Sequence, residues 1–229
     1  MIMIRNGLFF CVFIGLAGCT AVTDEVRETA EYAFKDAKDA ELSAEEIETF
    51  PYTSLYAQWQ GKARNLIVLG FVNKPNQYHF ITAEKETLVL EHGRVTRTQS
   101  LDDNLLTVSN LKSDPLRCIV TMPQSCDRTW QRVYDYQFDT GQLVSREIKS
   151  TFTVQQSEQL DMPFGQVEAV LVEEKGEFTL TGESFINKFW VESDGHVIKS
   201  EQVLFPNKPV LNLTQVTWIG RTNNSESAK

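Results

Sequence analysis

Between Pro51 and Ile219 the chain is a succession of short alternating segments divided by turn residues, with no helix-length period among them. Leu66–Val72 is a nearly continuous apolar run, the pattern of a strand buried on both faces. Gln77–Ala83 and Thr87–Glu91 follow, and His92-Gly93 is a hairpin signal ahead of Arg94–Gln99. Tyr134, Tyr136 and Phe138 alternate with Asp135 and Gln137, and Asp139-Thr140-Gly141-Gln142 turns the chain into Leu143–Val154. Further strands read at Val167–Val172, Phe185–Val191, Val197–Leu204 and Leu211–Ile219, with Ser193-Asp194-Gly195 as the turn before Val197. Short links between successive strands imply antiparallel neighbours, since a parallel pair needs a long crossover. The expected class is therefore mainly β: about ten strands in a large antiparallel meander over residues 51–220. It would curl into a barrel, half-barrel or sandwich, with one or two N-terminal helices over an opening or edge. The polar tail Arg221–Lys229 is expected to be flexible.

The segment before Pro51 has a different character. Val26, Ala30, Ala33, Phe34 and Ala37 recur at three and four, giving one apolar stripe. Ser43-Ala44-Glu45-Glu46 has the form of a capping box opening a second short helix that ends before Pro51. Residues 24–50 are thus expected to be helical. Between Asp24 and Glu48 stand ten acids and three bases. A helix lying on a membrane surface carries bases on its polar face, so this segment is expected to pack on its own domain or on a partner.

Residues 1–18 carry one charge, Arg5, followed by an apolar run from Gly7 to Gly18. That is the layout of a signal peptide, and it falls short of the roughly 18 apolar residues needed to span a bilayer. Leu16-Ala17-Gly18-Cys19 looks like a bacterial lipobox, which makes Cys19 the expected site of lipid attachment and residues 19–23 a lipidated tether. Several acyl chains on Cys19 would hold the protein in outer-membrane lipid, facing the periplasm, where a single chain binds only reversibly. Thr20 is not the Asp that commonly signals inner-membrane retention.

Of the other cysteines, Cys11 falls within the signal, leaving Cys118 and Cys126 in an exported domain. An even remainder in an oxidising compartment is expected to form a disulfide, pinning the loop Asp114–Asp127 with its Pro115 and Pro123. The alternatives are weaker: a metal site wants more ligands nearby, and a redox pair usually has C-x-x-C.

The chain has 22 Lys and Arg against 31 Asp and Glu. Loss of Arg5 with the signal makes the remainder more acidic still. No basic run is present, so a nucleic-acid partner is not expected.

A search for catalytic chemistry finds little. His92 and His196 flank predicted turns and are expected to be exposed, while His79 sits in a strand facing away from Tyr78 and Phe80. Gly182-Glu183-Ser184-Phe185-Ile186 misses the nucleophile elbow by its last glycine. No P-loop or dinucleotide fingerprint occurs, and no cofactor or metal is expected. Asp102-Asp103 and Glu173-Glu174 are the carboxylate doublets. Neighbours in a strand face opposite ways, so neither makes a facing dyad, and each reads as solvated surface acid. Trp59, Trp130, Trp190 and Trp218 all fall on or beside strands, where core is the expected role and a sugar- or lipid-binding groove the sharper one. A weak internal echo links Leu88–Thr98 with Trp190–Ser200. Two similar hairpins explain it, and a pseudo-repeat with one sheet per half is the alternative.

Several ordered segments carry a family resemblance: Pro51-Tyr52-Thr53-Ser54-Leu55-Tyr56-Ala57, Val68-Leu69-Gly70, His92-Gly93-Arg94-Val95, Asn104-Leu105-Leu106 and Asp114-Pro115-Leu116. Phe189-Trp190-Val191-Glu192, with Gly195 and Lys199-Ser200-Glu201, extends it towards the C-terminus. Together they resemble the YjbF / group 4 capsule (GfcB) lipoproteins of Gram-negative bacteria. The resemblance implies a periplasm-facing lipoprotein encoded among genes for exopolysaccharide or capsule production. Its implied partners are proteins of a polysaccharide export system, with glycan as a further candidate. No enzymatic activity and no catalytic residue come with it, and it does not vouch for the cysteine pair. The expected function is a non-enzymatic accessory in polysaccharide production or secretion. The alternatives are a lipid or lipoprotein carrier with a concave apolar sheet, and a polysaccharide-modifying enzyme.

Overall fold

The structure, a computed structural model, describes residues 38–73 and 76–219. The signal peptide, Cys19 and its tether, the apolar stripe up to Ala37 and the tail 221–229 lie outside the described residues.

The capping box forms as its residues dictate. The Ser43 hydroxyl accepts from Glu46 N–H, Glu46 Oε2 accepts from Ser43 N–H at 2.7 Å, and the helix α1 runs Ala44–Thr49 before Pro51. Ahead of α1 the chain is tied to the sheet: Leu42 N–H donates to the Tyr56 hydroxyl at 2.7 Å, and the Arg64 guanidinium lies 4.4 Å from the Tyr56 ring centre.

Twelve strands follow in one antiparallel sheet: β1 Ser54–Trp59, β2 Asn65–Asn73, β3 Gln77–Ile81, β4 Thr87–Glu91, β5 Arg94–Gln99, β6 Asn104–Val108, β7 Thr129–Gln137, β8 Leu143–Met162, β9 Gly165–Phe178, β10 Glu183–Val191, β11 Val197–Gln202 and β12 Leu211–Thr217. Consecutive strands pair throughout, except that β5 and β6 share no backbone ladder; the ring is completed where β12 pairs with β1. The result is a nearly closed barrel-like meander, with neighbours in sequence mostly neighbours in the sheet. Its seam between β5 and β6 is bridged by side chains. Leu105 N–H donates to Thr98 Oγ1 at 2.9 Å, and Arg97 Nε donates to Leu106 O at 3.0 Å.

Two strands exceed the ten expected, β1 and β6. Both are as short as β3, β4 and β5 and are flanked by turn residues, Gly61 after β1 and Asp102-Asp103 before β6. The run Leu66–Val72 is covered at one end only: Ile67 is fully buried, whereas Phe71 and Val72 are about half exposed. The two echoing segments form the β4–β5 and β10–β11 hairpins of one continuous sheet, so the alternative of a separate sheet per half does not hold.

The barrel is filled. Inward residues of β7 alternate as Trp130, Arg132, Tyr134 and Tyr136, and meet Ile148, Phe152, Phe178, Phe189 and Leu213 from the other walls. Residues 109–128 form a plug in this core, with Leu116 and Ile119 almost fully buried. Two single 3-10 turns, Leu111–Ser113 and Pro115–Arg117, shape it, and the Asp114 carboxylate caps the second by accepting from Leu116 N–H. A disulfide joins Cys118 and Cys126 across the plug, their Cα atoms 5.5 Å apart. Beyond a bulge at Val154–Ser157 the β8–β9 hairpin carries a second small core, in which Met162 and Ala169 pack with Trp190 and Ile198.

Candidate functional site

At the centre of the barrel lies a buried cluster of charges. Arg94, first residue of β5, donates through Nε to Asp114 at 2.5 Å and through Nη1 to Glu174 of β9 at 2.8 Å. Arg132 of β7 donates to Glu174 at 2.6 Å and to Ser150 Oγ at 2.7 Å. Ser150 and Asn187 complete the Glu174 shell. Burial by itself would raise the Glu174 pKa. The Arg132 and Arg94 charges and the two hydrogen bonds overcome it and bring the pKa down to about 2. The Arg94 pKa is raised despite burial, through Asp114 and Glu174. The Trp130 ring stands within 4.1 Å of Arg132 Cζ and 4.7 Å of Arg94 Cζ. This arrangement fastens the plug to three walls. It also joins two of the segments carrying the family resemblance, since Arg94 and Asp114 belong to different ones.

The cluster corrects one expectation. Glu174 is not a surface acid but is fully buried, while Glu173 beside it faces outward and pairs with Lys175 at 3.6 Å. Opposite facing within the doublet is as the strand geometry predicts. In the other doublet, Asp103 pairs with Lys208 at 2.8 Å, which lowers its pKa, and Asp102 is exposed.

Several concavities open among the described residues, and two of them bear on function. The first is a concavity of about 1060 Å³ at β7–β10, lined by outward side chains of these strands together with Trp130, Phe185, Val203 and Val210. Strand register sets its lining in two ranks. Thr129, Thr151, Lys175 and Ile186 stand opposite one another in one, and Gln131, Lys149, Glu177 and Ser184 in the other. Three hydroxyls, one amide, one carboxylate and two lysines thus stand side by side with Ile186, able to donate and accept along its length.

The second, a half-enclosed cavity of about 120 Å³, lies where the β4–β5 and β10–β11 turns meet. His92 and Gly93 form the first turn with φ of +48° and +76°, the two-residue type I′ geometry that suits a twisted hairpin. Gly93 lies so close to β11 that a Cβ there would be 2.3 Å from Val197 Cβ. The Gln202 side chain ties the two walls by accepting from Val95 N–H and donating to Gly93 O. Tyr78, Trp218 and His196 form an aromatic wall, with ring centres 5.5 Å apart for Tyr78–Trp218 and 4.4 Å for His196–Trp218. His196 Nε2 contacts Gln215 Oε1 at 2.5 Å. Gln215 Nε2 and His92 Nε2 are both buried without a hydrogen-bond partner. Burial lowers the His92 pKa, with Arg117 adding to the effect.

The turn histidines are therefore not simply exposed: both line one cavity, because opposite walls approach at their turns. His79 is buried, stacked 4.1 Å from Phe71, with its pKa lowered by burial and Arg97. Trp130 and Trp190 are core residues, Trp130 also reaching the β7–β10 concavity; Trp59 packs at the core margin near Phe205, and Trp218 lines the smaller cavity. The partnering of Gln215 was invisible in the sequence, where a glutamine in a strand looks like any outward polar residue.

Comparison with known proteins agrees with this architecture. Residues 27–216 match the family described as Group 4 capsule polysaccharide lipoprotein gfcB, YjbF. The uncharacterized lipoprotein YjbF of Escherichia coli K12 is 27% identical, over 86% of this chain and 92% of its own length. The uncharacterized lipoprotein GfcB of the same strain is 28% identical, over 82% of this chain and 87% of its own. The crystal structure of the hypothetical lipoprotein YmcC from E. coli K12 superposes with a TM-score of 0.71 at 25% identity, covering 85% of this chain and 95% of that one.

Proposed function

This chain belongs to the group 4 capsule polysaccharide lipoprotein family, and from that membership we propose a non-enzymatic accessory role in capsule or exopolysaccharide production or secretion. The protein would be anchored in the outer membrane through acylated Cys19 and would face the periplasm. The observation that carries the reading is the concavity on β7–β10, whose ranks of hydroxyl, amide and charged groups stand beside Trp130, Phe185 and Ile186, an amphipathic lining that suits a sugar polymer or a protein surface. The filled interior supports it too. A carrier needs a hollow, and the described interior is occupied by aromatic side chains and the plug. The deepest carboxylate, Glu174, is held by four side chains and serves the packing.

Deleting the gene in a polysaccharide-producing strain is expected to lower surface or released polymer, with recovery by the wild-type gene. Cys19→Ala should shift the protein from the outer-membrane to the soluble periplasmic fraction and fail to restore full output. Unchanged polymer in the deletion strain would overturn the role.

A further inference from the structure

We infer that the cavity between the β4–β5 and β10–β11 turns is a binding site for a single neutral sugar residue, entering by a vicinal-diol edge. The choice of a sugar rests on the polysaccharide reading above; the geometry of the cavity stands apart from it. His92 and Gln215 each line the cavity and each hold a buried nitrogen without a hydrogen-bond partner. Leaving such groups unpaired is unfavourable, so an occupant that pairs them gains twice. Gln215 Nε2 can only donate, whereas an imidazole nitrogen accepts or donates according to its tautomer. A pair of adjacent hydroxyls, each both donor and acceptor, answers both.

The remaining walls favour the same class. Tyr78 and Trp218 offer aromatic faces, on which the C–H face of a pyranose packs. Among the described residues no acid, lysine or arginine lines the cavity, and burial disfavours a charge on His92, so the described lining favours a neutral ligand. An apolar occupant would leave both nitrogens unpaired. The volume of about 120 Å³ is a little below the ~150 Å³ that holds a benzene-sized ring, so a sugar enters by one edge with its remainder in solvent. That position suits a chain end or a protruding branch.

The test uses the full chain as isolated from cells, labelled with 15N-tryptophan. The Trp218 indole resonance is assigned by its loss in Trp218→Phe. D-Glucose, D-galactose and N-acetyl-D-glucosamine are titrated separately, with glycerol and D-glucuronate as controls. At least one neutral sugar is expected to shift Trp218 with a Kd on the order of 1 mM, while Trp190, bonded to Glu158, stays in place. His92→Asn tolerates the positive φ and removes the imidazole; it should weaken binding about tenfold with the other indole resonances unmoved. A Trp218 that responds to no sugar overturns the site and leaves water as its occupant. Equal binding of glycerol overturns the sugar assignment, and tighter binding of glucuronate overturns the neutral one. The two proposals fail separately. Normal polymer in the deletion strain overturns the accessory role whatever Trp218 does, and a silent Trp218 overturns the site whatever the deletion does.

Discussion

Glu174 accepts a hydrogen bond from Arg94 at 2.8 Å although their strands, β9 and β5, share no edge. The pair crosses the barrel interior, with Arg132 bound to the other carboxylate oxygen. The folded pKa of Glu174 is depressed from 4.5 to about 2, with burial opposing and the two arginines prevailing. A depressed carboxylate stabilises the fold fully above its unfolded value and loses that contribution as pH falls through the folded one. Urea midpoints should therefore drop between about pH 4.5 and pH 2. Glu174→Gln leaves the buried Arg132 guanidinium without its carboxylate and Arg94 with Asp114 alone, and should cost roughly 3–5 kcal/mol at neutral pH. Its midpoint should then vary less across the acid window. A variant as pH-sensitive as the wild type would contradict the assignment.

Gly176 stands opposite Phe185 across the β9–β10 ladder, and the phenyl ring lies over it. A Cβ at Gly176 would be 2.2 Å from the ring Cζ, and Phe185 is itself held against Phe178 at 5.2 Å between ring centres. Gly176→Ala should destabilise by roughly 1–3 kcal/mol through overpacking. The same change in a Phe185→Leu background should cost about 1 kcal/mol less, which a double-mutant cycle by chemical denaturation measures. Simple additivity would show that the ring is not what excludes the side chain.

Local chemistry made much of this fold legible. The Ser43–Glu46 capping box, the His92-Gly93 hairpin and the alternation through Tyr134 and Tyr136 each depend on residues a few positions apart, and each forms as its sequence implies. The charge cluster depends on Arg94, Asp114, Arg132 and Glu174, the ends separated by 80 positions. A single charged residue in a strand looks the same from the sequence whether it meets water or a distant partner, so Glu174 looked like surface. The small cavity was hidden for a similar reason. His92 and His196 sit at turns, and turns are exposed unless another turn closes on them. Here the close approach of Gly93 to Val197 brings the two together.

The plug is held from two directions: from the core by Arg94 on Asp114, and within itself by Cys118–Cys126. Closing a loop of sequence separation 8 restricts the unfolded chain by roughly 2.5 kcal/mol in the chain-entropy account. Cys118→Ala/Cys126→Ala should therefore lower Tm by about 5–10 °C and leave the protein folded, because the Asp114 anchor is independent of the sulfurs. Calorimetry of the double variant, beside the wild type with and without reductant, checks both points. Reductant should reproduce the shift in the wild type and leave the variant unmoved.

The β5–β6 seam is where the barrel is closed by side chains alone. Thr98 Oγ1 receives Leu105 N–H at 2.9 Å and lies 3.4 Å from Asn104 Oδ1, so one hydroxyl replaces a missing rung. Both Thr98 and Leu105 are buried, and water cannot take over. Thr98→Val keeps the shape and removes the hydroxyl, leaving Leu105 N–H without an acceptor at a cost of about 1–3 kcal/mol. Because β5 and β6 have no shared ladder to compensate, the loss should be local before it is global. Amide hydrogen exchange is expected to speed up at Leu105 and along β6, while β8 and β9, paired on both sides, keep wild-type protection. Thr98→Ser, which keeps the hydroxyl, should restore slow exchange at Leu105. Equal exchange in Thr98→Val and wild type would mean that packing from Leu105 and Val108 closes the seam without the hydroxyl.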